Sequence, residues 1–310
     1  MDSSFPGAFV IPKDAFTLIP LDEIHAGGPP KDGIPALTNP KTLRASAAGL
    51  SPGDRVIGVV INGEARAYPL RILNWHEVIN DTLGGTPIAV TYCPLCDSAV
   101  VFDRNIGGEV REFGVSGLLY NSNLLMFDRQ KDHAKESLWS QMMLAAVVGP
   151  AAEAGLELEL LPAQLTNWES WSAKHSETTS LSFETGYNRD YSANPYEGYF
   201  RSPRLMFPAK AQGEPAGDAD ALPAKEPTIV VSAGGKLKGY PVSHLKAAFG
   251  DGNQVSDEFE STKLIFTAVN ADRSTFEVYD AAGNPVPVAF SFWFEFRAAH
   301  PKAAVFGSKN

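Results

Sequence analysis

The chain has 310 residues, of which 44% are hydrophobic, so it is long enough to form one large domain or two ordinary ones around a real core. Its formal net charge of −10 argues against nucleic acid or an anionic membrane as a partner. No apolar run approaches the roughly 18 residues that a membrane-spanning helix needs. The N-terminus also lacks a signal-peptide pattern. We therefore predict no nucleic acid partner and no membrane insertion.

The N-terminal part is rich in glycine and proline between positions 27 and 35. This composition excludes a helix, because proline fixes φ and lacks a backbone donor. We predict an irregular N-terminal arm over residues 1–50 that lies on the body of the protein.

Regular structure begins after position 54. Asn62-Gly63 is a strong signal for a two-residue hairpin between a strand Val56–Ile61 and a return strand Glu64–Tyr68. Pro69 suits the first turn of a helix, which helical spacing of apolar residues predicts over Leu70–Asn80. Further strands are predicted over Pro87–Tyr92, Ser98–Arg104, Val110–Val115, Leu124–Arg129 and Ser137–Met142.

An internal similarity indicates a duplication. Residues 61–70 and 233–242 both read as a hairpin, then Tyr-Pro, then the start of a helix. We predict a β-rich α+β fold of two pseudo-repeated β-hairpin/helix/β-hairpin halves packed as one body. Its parts are the arm, a first half with the cysteines (51–150), an aromatic and polar connecting region (151–225) and a degenerate second half (226–310). Within the connecting region, residues 209–225 predict an exposed loop.

Cys93 and Cys96 are the only cysteines of the chain, in Cys-x-x-Cys spacing. Such a pair can bind a metal ion, cycle between dithiol and disulfide, or form a structural clip. Glutaredoxins also place Cys-Pro-x-Cys after a strand, but their cysteine begins a helix whose dipole lowers the thiol pKa. Here the β-branched run after Asp97 predicts a strand. This layout favours a metal knuckle, while the redox and structural roles stay open. In the second half, Asn270–Arg273 replaces the cysteines with a plain turn.

Two thiolates do not complete a metal shell, so a third ligand is expected. Among the six histidines, His76 is the best candidate, because its predicted helix directly precedes the cysteine strand. The alternative is a half-buried helix histidine with a carboxylate neighbour. Soft thiolates favour copper(I) or zinc. Glu77 and Asp97 each adjoin a candidate ligand and could support it.

Small polar side chains are dense over residues 113–123, where they could line a pocket or satisfy a turn. On the pocket interpretation, the candidate catalytic residues are Glu77, Ser116 and Asn121. The candidate substrate contacts are Tyr120, Asn123 and Trp139. A core position is the alternative for the tryptophan.

Nine short motifs along the chain are shared with a known family. They are Asn74–Glu77, Thr91–Cys96, Phe113–Gly117, Tyr120–Met126, Ser137–Gln141, Gly186–Tyr191, Asn194–Tyr196, Ser202–Leu205 and Ser291–Phe294. In these motifs, and over nearly its whole length, the chain resembles the bacterial and archaeal domain-of-unknown-function family DUF3179. Family members often carry export signals. The resemblance thus implies a periplasmic or extracellular protein with its leader removed, or a cytoplasmic one if the chain is full length. The loop Lys131–Lys135 is longer than the family pattern.

The sequence therefore predicts a metal-binding protein with one mononuclear Cys2His site for copper or zinc, ligated by Cys93, Cys96 and His76. We expect a metal-dependent enzyme, an oxidoreductase, that acts on a small molecule. Two alternatives stay open: a non-catalytic metal-binding or copper-delivery protein, and a thiol-disulfide oxidoreductase that uses the two cysteines. The substrate, the identity of the metal and the oligomeric state do not follow from the sequence.

Overall fold

The computed structural model describes residues 7, 9–209, 222–250 and 252–307. Strands account for 40% and helices for 16% of the structure, which confirms the predicted β-rich α+β class. The duplication and the domain boundaries remain predictions. Most of the segment that predicts an exposed loop, residues 210–221, lies outside the described residues.

The N-terminal arm contributes short strands as well as irregular chain. These strands are β1 (Ile24–Ala26), β2 (Leu37–Thr38) and β3 (Thr42–Arg44). Each pairs with a strand from later in the sequence, so backbone hydrogen bonds tie the arm to the body at three places.

The first region begins with a hairpin and a helix and continues as three antiparallel strands. Its elements are β4 (Arg55–Ile61), β5 (Glu64–Pro69), α1 (Leu70–His76), β6 (Val78–Leu83), β7 (Thr86–Cys93) and β8 (Ser98–Asp103). The β4–β5 hairpin turns at Asn62 and Gly63, whose φ angles of 50° and 83° confirm the predicted two-residue turn.

Helix α1 is shorter than predicted. It ends at His76, because Glu77 adopts φ 55° and ψ −36° and the chain from Val78 pairs with β7. The prediction of a helix to Asn80 was therefore wrong. β-branched residues favour strands, and pairing with β7 outweighs the helical spacing that placed Ile79 on a helix face.

A second antiparallel sheet and the connecting region follow. Their elements are β9 (Asn105–Ile106), β10 (Glu109–Val110), β11 (Phe113–Tyr120), β12 (Asn123–Asp128), β13 (Leu138–Ser140), β14 (Ala145–Val148), α2 (Pro150–Glu153), β15 (Gln164–Asn167), α3 (Trp168–Lys174), β16 (Thr179–Leu181) and α4 (Glu197–Arg201). The predicted strand Val110–Val115 is divided, because Glu109 and Val110 pair with β9 whereas the chain from Phe113 pairs with β12.

The last region again begins with a hairpin, a helix and three antiparallel strands, and it ends with strand, helix and strand. Its elements are β17 (Pro227–Ala233), β18 (Lys236–Pro241), α5 (Val242–Ala248), β19 (Gln254–Phe259), β20 (Thr262–Ala268), β21 (Phe276–Asp280), β22 (Val288–Phe292), α6 (Trp293–Ala299) and β23 (Ala304–Val305).

One large sheet joins the first and last regions, with the strand order β2-β6-β7-β8-β22-β17-β18-β23. The junction is the antiparallel pair Phe290 and Ala99. Successive side chains of β7 enter different clusters of buried residues: Tyr92 belongs to one, and Cys93 packs in another with Trp139. This alternation follows from the period of two in a strand. It buries the thiols on the side covered by the β11–β14 sheet and α6.

Candidate functional site

The cysteine turn is a tight loop between β7 and β8. Cys93 pairs with Ser98 across the hairpin, and the Cys96 N–H donates to the Cys93 carbonyl at 3.2 Å. Asp97 closes the loop in the left-handed region with φ 46°. Both thiols then point at the same acceptor, the Ser122 carbonyl, at 3.7 Å from the Cys93 sulfur and 3.1 Å from the Cys96 sulfur.

The two free thiols differ in acidity. Burial acts to raise the pKa of Cys93, but a hydrogen bond with the Cys96 thiol and three backbone N–H groups outweigh it, so the pKa is lowered. Those amides belong to Leu124, Leu95 and Cys96. Burial raises the pKa of Cys96, and the adjacent Cys93 and Glu295 raise it further. Cys93 therefore loses its proton more easily than Cys96, and as a thiolate it would accept a hydrogen bond from the Cys96 thiol.

Two buried carboxyl groups flank the thiols. Glu295 of α6 places Oε2 at 4.0 Å from the Cys96 sulfur. Glu77 lies after α1, with a backbone conformation outside the usual left-handed region. Burial, and next the charge of Cys93, raises the pKa of both carboxyl groups. Buried carboxyl groups beside a thiolate favour protons or a metal cation as their counter-charge.

A network of neutral polar side chains supports the turn. The Gln141 amide is fully buried: its Oε1 accepts from Ser98 at 2.7 Å, and its Nε2 donates to Thr91 at 2.9 Å. The Asn123 amide donates to Ser98 and Gln141 and also forms a hydrogen bond with Cys96 that acts to lower the pKa of that thiol. These bonds fix the position of Asn123 beside the sulfur.

A segment after α3 covers the cysteine turn. The Tyr199 hydroxyl on α4 donates to the Leu95 carbonyl at 2.7 Å, and the Ser122 hydroxyl donates to the Phe207 carbonyl at 2.6 Å. Under this cover lies a cavity of about 150 Å³, whose lining includes Glu77 and Tyr196 and is otherwise mostly apolar. A small molecule that entered this cavity would meet the Glu77 carboxyl group close to Cys93.

The structure does not bring His76 to the thiols. Its Nδ1–H donates to the Pro35 carbonyl at 2.7 Å, and its Nε2 accepts from the Tyr191 hydroxyl at 2.7 Å. Burial lowers the pKa of this imidazole. Among the described residues, no group of three or more His, Cys, Asp or Glu side chains is arranged to hold a metal ion. A ligand role for His76 stays a prediction, and the geometry gives it no support.

The other predicted site residues divide into two groups. Asn123 contacts Cys96, and Glu77 faces Cys93. The remaining four have structural surroundings. Ser116 donates to the Leu125 carbonyl on the neighbouring strand, and Asn121 occupies the β11–β12 turn with φ 51°. Tyr120 packs in a separate apolar cluster, and Trp139 is fully buried against Phe113. These surroundings fit the turn and core alternatives for this stretch.

Sequence reasoning missed three groups that contact the thiols or their neighbours: Glu295, Gln141 and the Ser122 carbonyl. Glu295 had a usable signal, because it is a lone acidic residue within the aromatic run Trp293–Phe296. Gln141 stands in one of the shared motifs but has no charge or metal affinity to mark it. A backbone carbonyl leaves no trace in the sequence.

The fold and the site define a β-rich α+β protein with a buried free dithiol between two carboxyl groups. The family described as "Protein of unknown function (DUF3179)" matches residues 31–303, nearly the whole chain. The protein therefore belongs to this family, which confirms the resemblance. Curated proteins and solved structures contain no significant match. Within the described part of the chain, no helix has the length and apolarity to cross a membrane.

Proposed function

We propose that the protein binds one soft transition-metal ion, copper or zinc, through the thiolates of Cys93 and Cys96, and that it is a metal-dependent enzyme acting on a small molecule. The observation that carries this proposal is the convergence of both buried sulfurs on the Ser122 carbonyl. The two thiols also form a hydrogen bond with each other, so their sulfurs are near enough to share one ion. Thiolate pairs are typical ligands of copper(I) and zinc.

The surroundings of Cys93 support the proposal. A thiol must lose its proton to ligate a metal, and the amides around Cys93 favour the thiolate even though the site is dry. A bound cation would then take the place of the proton that Cys96 shares with Cys93. It would also favour ionisation of the two buried carboxyl groups, whose pKa burial raises.

The donor set extends beyond sulfur through Glu295. Carboxylate oxygen is an established zinc ligand, and Glu295 is already 4.0 Å from the Cys96 sulfur. Its side chain would have to turn to reach an ion held by both thiolates. His76 would have to give up two hydrogen bonds, so we favour Glu295 over the predicted histidine as the third ligand.

Burial favours an enzyme over a delivery protein. Cys93 and Cys96 are 1% and 0% exposed, whereas a carrier must present its ion to a partner. The cavity beside Glu77 offers space for a small molecule. In the proposed enzyme, the ion would supply Lewis-acid or redox chemistry, and Glu77 would hold or move a proton at its carboxylate. An oxidoreductase remains the reaction class that we propose.

Metal titration of the reduced protein tests the proposal. Protein prepared under anaerobic reducing conditions is titrated with copper(I) or zinc in competition with a chromophoric chelator. We expect one ion per chain for the wild type and for His76→Ala, and none for Cys93→Ser or Cys96→Ser. Equal binding by all four proteins, or no binding by the wild type, would contradict the proposal.

A thiol-disulfide oxidoreductase is the second candidate, because the low pKa of Cys93 beside the high pKa of Cys96 is the division of roles expected of an attacking and a resolving thiol. The strand β8, which follows the turn directly, lacks the helix dipole that activates such pairs. Alkylation with and without reductant separates the candidates. A reversible Cys93–Cys96 disulfide in a protein that binds no metal would favour this second function.

The proposal includes a periplasmic or extracellular location. Free cysteines in an oxidising compartment are subject to disulfide formation. A bound metal ion would keep the pair reduced there, and the same site would also be compatible with the cytoplasm.

A further inference from the structure

The cavity beside Glu77 is enclosed by three parts of the chain. One wall comes from the arm between residues 27 and 34, a second from strands β11 and β12, and a third from the segment that contains Tyr196 and Phe207. The Gly27 N–H donates to the Gly117 carbonyl at 2.8 Å, which holds the arm against β11. Met206 also lines the cavity and is 57% exposed, so the cavity opens to the surface beside it.

Aliphatic side chains make up most of the lining. They are Ile34, Leu95, Val115, Leu118, Leu119 and Leu124. The volume of about 150 Å³ equals that of an engineered apolar protein cavity that binds benzene. A molecule with a single six-membered ring therefore matches the cavity in size and in polarity.

Two side chains of the described lining, Glu77 and Tyr196, can form hydrogen bonds with a ligand. Glu77 is only 7% exposed, and its carboxyl oxygens form no hydrogen bond within the described part of the chain. The Tyr196 hydroxyl likewise has no hydrogen-bond partner among the described residues. Both groups retain accessible surface, so their unused hydrogen-bonding capacity faces the cavity.

Both groups are held in their neutral forms. Burial, and next the charge of Cys93, raises the pKa of Glu77. Burial, followed by the charges of Glu77 and Cys93, raises the pKa of Tyr196. An anionic ligand would be repelled by a thiolate at Cys93, and a cationic ligand would have to lose its hydration in a mostly apolar space. The cavity therefore favours a neutral ligand.

We propose that this cavity binds a neutral molecule with one ring and a single hydroxyl group, of which phenol is the simplest example. The ring would pack against the aliphatic walls. The hydroxyl group would lie between Glu77 and Tyr196, where it can donate a hydrogen bond to one and accept a hydrogen bond from the other. The inference names the substrate class of the proposed enzyme and in that respect rests on the proposed function, whereas binding in the cavity does not require the metal.

Calorimetric titration of the whole reduced chain with phenol, without added metal, tests the inference. We expect saturable binding of one molecule per chain. Toluene has nearly the same size but no hydroxyl group, and benzoate and benzylamine are charged at neutral pH. Each of these three compounds should bind at least about fivefold more weakly than phenol, because each loses the hydroxyl bonds or carries a charge into the cavity.

Two variants and a matched control locate the bound phenol. Tyr196→Phe should weaken phenol binding about tenfold, the effect of one hydrogen bond, and should leave toluene binding unchanged. Tyr187→Phe is the same change at a residue outside the lining that is 47% exposed, and it should bind phenol as the wild type does. Val115→Phe adds volume at the wall and should abolish binding of both compounds, with its melting curve as the check on folding.

The outcomes separate this inference from the proposed metal site. Absence of saturable phenol binding, binding of toluene or of a charged compound as tight as that of phenol, or unchanged phenol binding by both Tyr196→Phe and Val115→Phe would overturn the inference. A protein that binds one metal ion but no phenol would contradict this inference alone. A protein that binds phenol but no metal ion would support the cavity assignment and contradict the proposed metal site.

Discussion

The β7–β8 hairpin of the first region and the β20–β21 hairpin of the last region follow the same order of elements, yet only the first carries thiols. The cysteine turn is buried: it donates hydrogen bonds to the Ser122 carbonyl and to Gln141, and it accepts one from the Tyr199 hydroxyl. The corresponding turn at Asn270 is open to solvent and stabilises itself, because the Asn270 side chain accepts from the backbone N–H groups of Ser274 and Thr275 at 3.0 Å. The two hairpins therefore differ in whether other parts of the chain pack over their turns.

The support beneath the two hairpins is similar. The Tyr68 hydroxyl donates to Asp81 at 2.8 Å, and the Tyr240 hydroxyl donates to Asp257 at 2.7 Å. In each region a cationic side chain from the same strand as the tyrosine also binds that carboxylate. The tyrosine–aspartate contact and its ion pair are thus alike in both regions. The environment of the thiols depends on the elements that pack over the β7–β8 turn.

Moving the cysteines to the open turn should produce the largest change, a loss of metal affinity. A variant with four substitutions recreates the Cys-x-x-Cys spacing on the exposed turn, without the elements that pack over the native cysteine turn. The substitutions are Asn270→Cys, Arg273→Cys, Cys93→Ser and Cys96→Ser. We expect metal affinity at least about 100-fold below that of the wild type, because the supporting groups around ligands are missing. Chelator competition measures it. Affinity equal to that of the native site would show that spacing alone is sufficient.

Loss of the buried amide under the cysteine turn should reduce stability strongly. Gln141→Leu removes one buried hydrogen bond each from Ser98, Asn123 and Thr91, which should lower the free energy of unfolding by about 3 kcal/mol. Asn270→Ala at the open turn, where water can replace the lost bonds, should cost about 1 kcal/mol or less. Urea denaturation compares the two variants. Equal losses of stability in the two variants would contradict the claim that burial distinguishes the two turns.

Glu295→Gln should separate metal binding from folding. Burial already favours the neutral carboxyl group, so the neutral amide should leave the unfolding midpoint nearly unchanged. The affinity for zinc should fall about tenfold, since the carboxylate donor is lost. Glu260→Gln, at the exposed β19–β20 turn, is the matched control and should change neither quantity. A large loss of stability without loss of affinity would assign Glu295 a purely structural role.

The smallest expected effect is on the pH dependence of stability, which we attribute to Tyr68 in the first region and Tyr240 in the last region. Burial, followed by the neighbouring aspartates, raises the pKa of Tyr68 and Tyr240. Above pH of about 10, the unfolded chain releases these protons while the native chain keeps them, so stability falls as pH rises. Tyr68→Phe and Tyr240→Phe should each reduce this slope in melting experiments between neutral and alkaline pH. An unchanged slope in the double variant would exclude these tyrosines as its cause.

Local patterns predicted the hairpins and the strands beside the cysteines, because turn chemistry and β-branched runs act within a few residues. The helix end at His76 was not predictable from spacing, since it depends on the pairing of Val78 with a later strand. Of the predicted site residues, Asn123 lies beside Cys96 and Glu77 faces Cys93, while their functional roles stay predictions. Glu295 lies about 200 residues away in sequence, and only the packing of α6 brings it to the thiols.

X-ray absorption at the metal edge of the loaded protein identifies the atoms that bind the ion. We expect two sulfur neighbours at about 2.3 Å in the wild type and in His76→Ala. A bound ion with only nitrogen and oxygen neighbours would contradict this expectation.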